Sequence, residues 1–353
     1  MNKDLSFYKD KRVLITGHTG FKGSWLTRIL VNAGAKVIGY SLEPETYPAL
    51  FNLANIREGM FYSKIGDVRN LENLIWLFKC YKPEIVFHLA AQPIVRTSYE
   101  KPVETFEINA IGTVNVLEAI RQTGTVKSVL NVTTDKVYKN KEWLWGYRED
   151  EELGGYDPYS SSKAVSEEIT SCYIKSFWKN DVVSVSTARA GNVIGGGDFA
   201  KDRIIPDCVR AAIAKEDIFV RNPNSVRPFQ HVLEPLFAYL LIAKKQYENS
   251  KYASNYNVGP DESDCVTVKD IATMFCDSWK DGIKWTTKEV DGPHEANFLK
   301  LDCSKIKNVL GWEPTWNIKE AIEKTVEFSK IYAVNGNVSN CMDKQISEFI
   351  GGK

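Results

Sequence analysis

Arg12-Val13-Leu14-Ile15-Thr16-Gly17-His18-Thr19-Gly20-Phe21-Lys22-Gly23-Ser24-Trp25-Leu26 is the stretch on which the fold turns. Its first five residues are a short apolar run with β-branched Val13 and Ile15, and they read as a strand. Gly17-x-x-Gly20-x-x-Gly23 follows at once, and residues 24–33 then carry Trp25, Leu26, Ile29 and Leu30 at helical spacing. Strand, glycine turn and helix in that order are the setting for a dinucleotide. The glycines allow close backbone approach to a pyrophosphate, and the helix N-terminus favours the anion. The spacing is GxxGxxG rather than GxGxxG, so the loop alone leaves a purely structural turn open. Lys36-Val37-Ile38-Gly39-Tyr40 supplies the next strand and completes a βαβ unit.

The alternation continues. Residues 61–65 read as a strand ending at Gly66-Asp67-Val68, 71–80 as a helix, 84–89 as a buried strand after Pro83, 102–121 as a long helix, and 126–132 and 182–188 as further strands. Such a pattern predicts an α/β fold with a Rossmann-type, doubly wound parallel sheet, and ligands beyond the carboxyl ends of its strands. The glycine loop, Ala90-Ala91 and Thr133-Thr134-Asp135 all fall at such ends. Helices over 204–214, 235–247, 268–279 and 318–332 among short strands predict a smaller, mixed α/β second part. The expected division is a dinucleotide-binding domain over 1–190, which includes the helix opened by Tyr159, and a mainly substrate-binding domain over 191–353, with some chain exchange between them. The last ~15 residues read as peripheral.

Composition excludes several classes. The 353 residues hold 45 basic and 45 acidic side chains, a formal net charge of +0 that argues against a nucleic-acid partner. No apolar run approaches the ~20 residues of a membrane span, and the charged residues 1–12 lead straight into a strand rather than forming a signal peptide. Cysteines at 80, 172, 208, 265, 276, 303 and 341 form no CxxC pair. They read as buried free thiols of a cytoplasmic protein. The four histidines, at 18, 88, 231 and 294, lack metal-ligand spacing, so no metal is expected.

Two segments carry chemistry. In Tyr159-Ser160-Ser161-Ser162-Lys163 the tyrosine and lysine stand four apart and share a helix face. An ammonium lowers a phenol from its ordinary value near ~10 and makes it usable as a base. Thr134-Asp135-Lys136 adds an acid beside a second ionisable group, which is more proton-transfer chemistry than a simple alcohol oxidation requires.

With Gly17-x-x-Gly20-x-x-Gly23, His88-Leu89-Ala90-Ala91, Asn109 and Tyr159-x-x-x-Lys163 in this order, the chain resembles the extended short-chain dehydrogenase/reductase family of NAD-dependent epimerases and dehydratases. Ala91-Gln92-Pro93-Ile94-Val95-Arg96, Thr134-Asp135-Lys136-Val137-Tyr138, Arg189-Ala190-Gly191-Asn192, Arg227-Pro228-Phe229-Gln230-His231 and Pro293-His294-Glu295-Ala296 are similar to the CDP-sugar branch of its nucleotide-sugar 4,6-dehydratases. The likeness spans residues 11–316. It implies NAD as cofactor, CDP-glucose as substrate, and a redox-neutral loss of water giving the 4-dehydro-6-deoxy sugar for deoxysugar synthesis. It also implies a homodimer joined through the helices near 102–121 and 159–178.

The resemblance also implies roles. Tyr159 is the base for the 4-hydroxyl, Lys163 its cation, Thr134 a hydrogen-bond partner of the 4-oxygen, and Asp135 the acid for the leaving hydroxyl. Lys136 stands where the dTDP-sugar branch has Glu. It is either the C5 base, which needs neutral lysine, or an electrostatic stabiliser, which needs the charged form. Gly17, Thr19, Gly20, Phe21, Lys22, Gly23, Asp67, Val68, Leu89, Ala90, Ala91, Asn109 and Thr133 join Tyr159 and Lys163 around the cofactor. Gln92, Arg96, Asn192, Arg203, Arg221, Arg227, His294 and Asn297 are the expected substrate contacts, the arginines because guanidinium matches phosphate oxygens. Arg189 and His88 read as structural, and Trp143 and Trp145 as either a cover for the sugar or loop packing. Ser41 stands near the end of the second strand, where an NAD site usually has an acid, so NAD rests on the resemblance. Two other readings stay open: a nucleotide-sugar 4-epimerase, which needs no Asp135-Lys136, and a catalytically silent dinucleotide-binding regulator.

Overall fold

In the computed structural model, which describes residues 3–179, 182–287 and 298–351, the apolar runs become strands, buried on both faces except at the half-exposed edge strand β3. These are β1 (Arg12–Thr16), β2 (Lys36–Ser41), β3 (Tyr62–Ile65), β4 (Ile85–His88), β5 (Ser128–Thr134), β6 (Ser184–Ala190) and β7 (Asn255–Val258). They form one seven-stranded sheet in the order β7-β6-β5-β4-β1-β2-β3, every pair parallel. Alternate residues serve two cores, as the two-residue period of a strand demands. Val13, Ile15, Ile85, Phe87, Leu130 and Val132 pack with Trp25, Leu26, Leu236 and Phe237. Leu14, Val86 and Val129 pack with Leu74, Leu77, Val116 and Leu117 on the other side. Helices α1 (Phe21–Asn32) and α6 (Leu233–Glu248) thus cover one face, and α2 (Leu71–Tyr81), α3 (Gly112–Thr123) and α4 (Pro158–Phe177) the other. The strand order reverses between β1 and β4, the switch point at which such sheets bind ligands.

A third core, with Ile194, Ile205, Ile218, Phe229, Ile271, Phe275 and Ile322, is built on α5 (Ile204–Ala214), α7 (Val268–Trp279) and α8 (Ile318–Ala333). The chain returns to the sheet more than once after residue 190, through α6 and β7 and again through α9 (Val338–Gly351).

Five sequence expectations are corrected. Helix α1 begins at Phe21, not at residue 24, because Gly20 is extended (φ −76°, ψ 175°) and caps it. Strand β5 runs two residues beyond the predicted 132, since Thr133 and Thr134 pair with Arg189 and Ala190. The predicted helix over 102–121 is divided: Pro102–Phe106, a π turn over Glu107–Ile111, then α3. The C-terminal residues are not peripheral, because Val338, Cys341, Met342, Ile346 and Phe349 bury one face of α9 in the main core. Their places at i, i+3, i+4, i+8 and i+11 are an amphipathic signal that position in the chain obscured. The cysteines are all free, yet only Cys208, Cys303 and Cys341 are buried, while Cys80 and Cys172 are exposed. Among the described residues no helix is long and apolar enough to cross a membrane.

Candidate active site

The glycine loop is shaped by contacts that admit no side chain. Gly17 has φ +78°, and a Cβ there would stand 2.8 Å from the backbone nitrogen of Ala90. A Cβ on Gly23 would lie 2.0 Å from the carbonyl oxygen of Gly17. Helix, loop and the β4 end therefore close on one another by backbone alone, leaving the first-turn amides of α1 without intrahelical partners. Thr19 Oγ1 donates to Leu42 O at 2.9 Å and pairs with Ser41 Oγ at 2.9 Å, fixing the loop to the end of β2. The Ala90 amide donates to Thr16 Oγ1 at 3.3 Å. This bare backbone cradle at the switch point fits a dinucleotide pyrophosphate. Lys22, half-buried at its mouth, is pulled down to about 8, chiefly by burial and then by Arg203.

The reacting groups hang from β5 and α4. Asp157 caps α4 by accepting from the Ser160 amide at 2.9 Å, and Pro158 is its first residue, so Tyr159 and Lys163 occupy successive turns. Both are buried. Lys163 Nζ donates to Val132 O at 3.1 Å. Burial, with Lys22 adding repulsion, pulls Lys163 down to about 7. The Tyr159 phenol is pushed up to about 12, mainly by burial, although the Thr134 hydroxyl hydrogen-bonds it and opposes the shift. The expected lowering of this phenol is therefore not met in the protein alone: desolvation outweighs the neighbouring positive charge.

Thr134 Oγ1 also donates to Asp135 Oδ1 at 3.0 Å, and Lys136 Nζ reaches the same oxygen at 3.3 Å and Asn192 Oδ1 at 3.4 Å. Asp135 is fully buried, and its Oδ2 has no hydrogen-bond partner among the described residues. An acid, a lysine, a hydroxyl and a phenol are thus gathered at one strand end.

Phe21, Lys22, Thr134, Lys136, Tyr159 and Asn192 line a cleft of about 940 Å³, which also reaches Arg96, Arg203, Arg221 and Arg227. Arg203 Nη1 donates to Asp198 Oδ2 at 2.9 Å, and Arg221 Nη1 to Asp202 Oδ1 at 2.6 Å. Sequence reasoning named the arginines but not Asp198 and Asp202. Asp198 directly follows the glycine run of residues 195–197, and Asp202 directly precedes Arg203, but neither position reveals its ion pair.

Several of the expected contact residues also have partners within the protein. Gln92 is buried with its amide bonded to Ile94 and Thr105, and it does not line the cleft. Asn109 holds that loop to α4, donating to Gln92 O at 3.1 Å and to Ser162 Oγ at 2.9 Å. The Asp67 carboxylate grips Arg69, and Val68 is part of the core. Trp143 stacks on Tyr147 at 5.5 Å, so loop packing is its role in the structure; neither Trp143 nor Trp145 lines the cleft. His88 is held by Thr16 Oγ1 at 2.7 Å and Thr113 Oγ1 at 3.2 Å. Arg189 grips Glu167 through Nε and Nη2, both at 3.0 Å. His294 and Asn297 lie outside the described residues.

The buried lysine sets a pH dependence of stability. Lys163 is depressed from about 10.5 to about 7 in the fold, so between those values the unfolded chain holds more protons and the parent gains stability as pH rises. Lys163→Met removes that gain. Its stability relative to the parent should be highest at and below pH ~7 and decline steadily toward pH ~10. Urea unfolding of both proteins across this range checks it, and a difference that does not vary with pH contradicts it.

Known proteins bear on the whole chain. The family model described as GDP-mannose 4,6 dehydratase matches residues 14–325. The CDP-glucose 4,6-dehydratase of Salmonella typhimurium is 45% identical, covering 98% of each chain. Human dTDP-D-glucose 4,6-dehydratase is 28% identical over 90% of this chain and 89% of its own. The solved structure of Thermus thermophilus UDP-glucose 4-epimerase in complex with NAD matches with a TM-score of 0.77 at 25% identity, covering 90% of this chain and 99% of that one. A strand–glycine-loop–helix cradle, a Tyr-Lys pair on α4 and an acid at the end of β5 thus sit within a match to nearly the whole chain, and the protein belongs to the GDP-mannose 4,6 dehydratase family.

Proposed function

We propose that the protein is an NAD-dependent hydro-lyase that converts CDP-glucose to CDP-4-dehydro-6-deoxyglucose. The observation that carries this reading is the cluster at the end of β5, where Thr134, Asp135 and Lys136 meet Tyr159 across hydrogen bonds. It is supported by 45% identity to a CDP-glucose 4,6-dehydratase over 98% of the chain. An epimerase at C4 needs the tyrosine and lysine but gains nothing from a buried aspartate beside a lysine.

When bound, NAD supplies the acceptor for the hydride leaving C4 and the donor for its return to C6. The chain's own groups handle the protons. Tyr159 Oη takes the proton of the 4-hydroxyl, and Thr134 hydrogen-bonds the same oxygen. A 4-keto group acidifies the C5 hydrogen, and Lys136, held between Asp135 and Asn192, takes that proton or stabilises the enolate. Asp135 gives a proton to the 6-hydroxyl, which leaves as water, and its unpartnered Oδ2 is the atom available for this. Lys163 and the α1 N-terminus hold the cofactor, while Arg203, Arg221 and Arg227 serve the diphosphate. The free cysteines and the proposed nucleotide-sugar substrate support a cytoplasmic location.

Tyr159→Phe should cut kcat by ~10²–10⁴ while CDP-glucose binding changes little, the scale of a lost acid–base group. Asp135→Asn should separate the steps. It should still oxidise C4, with a single-turnover rise in reduced-nicotinamide absorbance, yet lose water at least ~10²-fold more slowly. Parent-like turnover by both variants would move the active site elsewhere.

We also propose that a second copy of the chain covers the exposed apolar side chains Val103, Phe106, Ile111 and Val165, which are 71%, 36%, 51% and 40% exposed. They lie on Pro102–Phe106, the π turn and α4, which pack against one another. Light scattering should give twice the chain mass for the parent and one chain mass for Val103→Glu/Ile111→Glu. A parent of single-chain mass contradicts the interface.

A further inference from the structure

Four arginines reach the cleft, and two aspartates pair with three of them, Arg96, Arg203 and Arg221, in different ways. Asp198 is nearly enclosed, its side chain 5% exposed; it accepts from Arg203 Nη1 at 2.9 Å and from the Ala200 amide at 3.1 Å. Asp202 is 39% exposed, and its Oδ1 meets two arginines from different parts of the chain: Arg221 Nη1 at 2.6 Å and Arg96 Nε at 3.8 Å. The second distance is too long for a hydrogen bond. Arg96 Nε is accordingly a buried donor without a hydrogen-bond partner among the described residues. Arg221 Nη2 also donates to the Asp202 carbonyl at 3.1 Å. Asp202 adopts φ +62°, a left-handed conformation that aspartate tolerates, immediately before the start of α5.

We propose that Asp202 is a specificity residue that occupies, in the ligand-free protein, the position a nucleoside diphosphate takes on Arg96 and Arg221. This rests on the reading of the cleft as a nucleotide-sugar site. A carboxylate offers planar anionic oxygens to a guanidinium as a phosphate does. It spares Arg221 the cost of standing unpaired in a half-buried cleft. It leaves Arg96 under-satisfied, so a ligand with several anionic oxygens gains on exchange: it replaces one good contact and supplies the missing one. Asp202 can be displaced, because its side chain already borders solvent. Asp198 cannot, because it is enclosed. A ligand without anionic oxygens has nothing to offer the two arginines and leaves Asp202 in place. Asp202 therefore makes occupancy of the cleft conditional on a diphosphate.

Calorimetric titration of the full-length protein with CDP tests this. Asp202→Asn removes the competing charge and keeps the side chain's size. It should tighten CDP by up to about fivefold, the upper end for an exposed ion pair, and lower the KM for CDP-glucose by a similar factor without raising kcat. Arg221→Gln should weaken CDP. Asp202→Ala should tighten CDP as Asn does, which guards against an effect peculiar to the amide. If Arg221→Gln weakens CDP while both Asp202 variants bind as the parent or more weakly, Asp202 orients the arginines rather than competing for them, and the proposal falls while the reading of the cleft stands. If CDP does not bind the parent, both fall.

Discussion

The site depends on one buried ion pair. Glu167 and Arg189 are both almost fully enclosed and meet through two contacts of 3.0 Å. Thr133 Oγ1 donates to Glu167 at 2.5 Å and Thr187 Oγ1 at 2.7 Å, while Arg189 also reaches Tyr138 Oη at 2.9 Å. Such a pair pays its desolvation cost only when nearly every polar atom is satisfied, as here. It joins α4, which carries Tyr159 and Lys163, to the ends of β5 and β6. Thr133 immediately precedes Thr134, Asp135 and Lys136, and Glu167 lies one turn beyond Lys163. The two halves of the reacting cluster come from elements that are 25 residues apart in sequence between Thr134 and Tyr159. The ion pair fixes their relation.

Above that anchor, desolvation governs the electrostatics. Burial lowers Lys163 to about 7 and Lys22 to about 8 and raises Tyr159 to about 12, in each case favouring the neutral form. The cradle therefore meets its ligand with cations whose charge is costly to hold. An anion placed at the α1 N-terminus offsets that cost and favours the charged lysines. Binding and the readiness of the acid–base groups are coupled through the same buried space.

What could be read from sequence was local. Gly17-x-x-Gly20-x-x-Gly23 and Tyr159-x-x-x-Lys163 announce their geometry within a few residues, and the alternating apolar runs give the strands. Contacts that join distant segments left no such trace. The Gln92 amide is taken by Ile94 and Thr105, and Asn109 ties the β4 loop to α4, partners that neither residue's place in the sequence reveals. Asp198 and Asp202 acquire their roles only when the fold brings arginines to them. The C-terminal helix had a legible apolar face in Val338, Met342, Ile346 and Phe349, but only the fold shows the core that receives it.

In the proposed reaction Tyr159 and the Asp135-Lys136 pair work in sequence on one sugar, so that hydrogen leaves C4 and returns to C6 of the same molecule. The direct measurement is turnover of CDP-glucose carrying deuterium at C4, followed by mass and NMR analysis of the product. The expected product shows loss of one water, deuterium in a new C6 methyl group and one solvent hydrogen at C5, with no accumulation of reduced cofactor. Deuterium retained at C4 with the 6-hydroxyl intact, or stoichiometric formation of reduced cofactor, would contradict it.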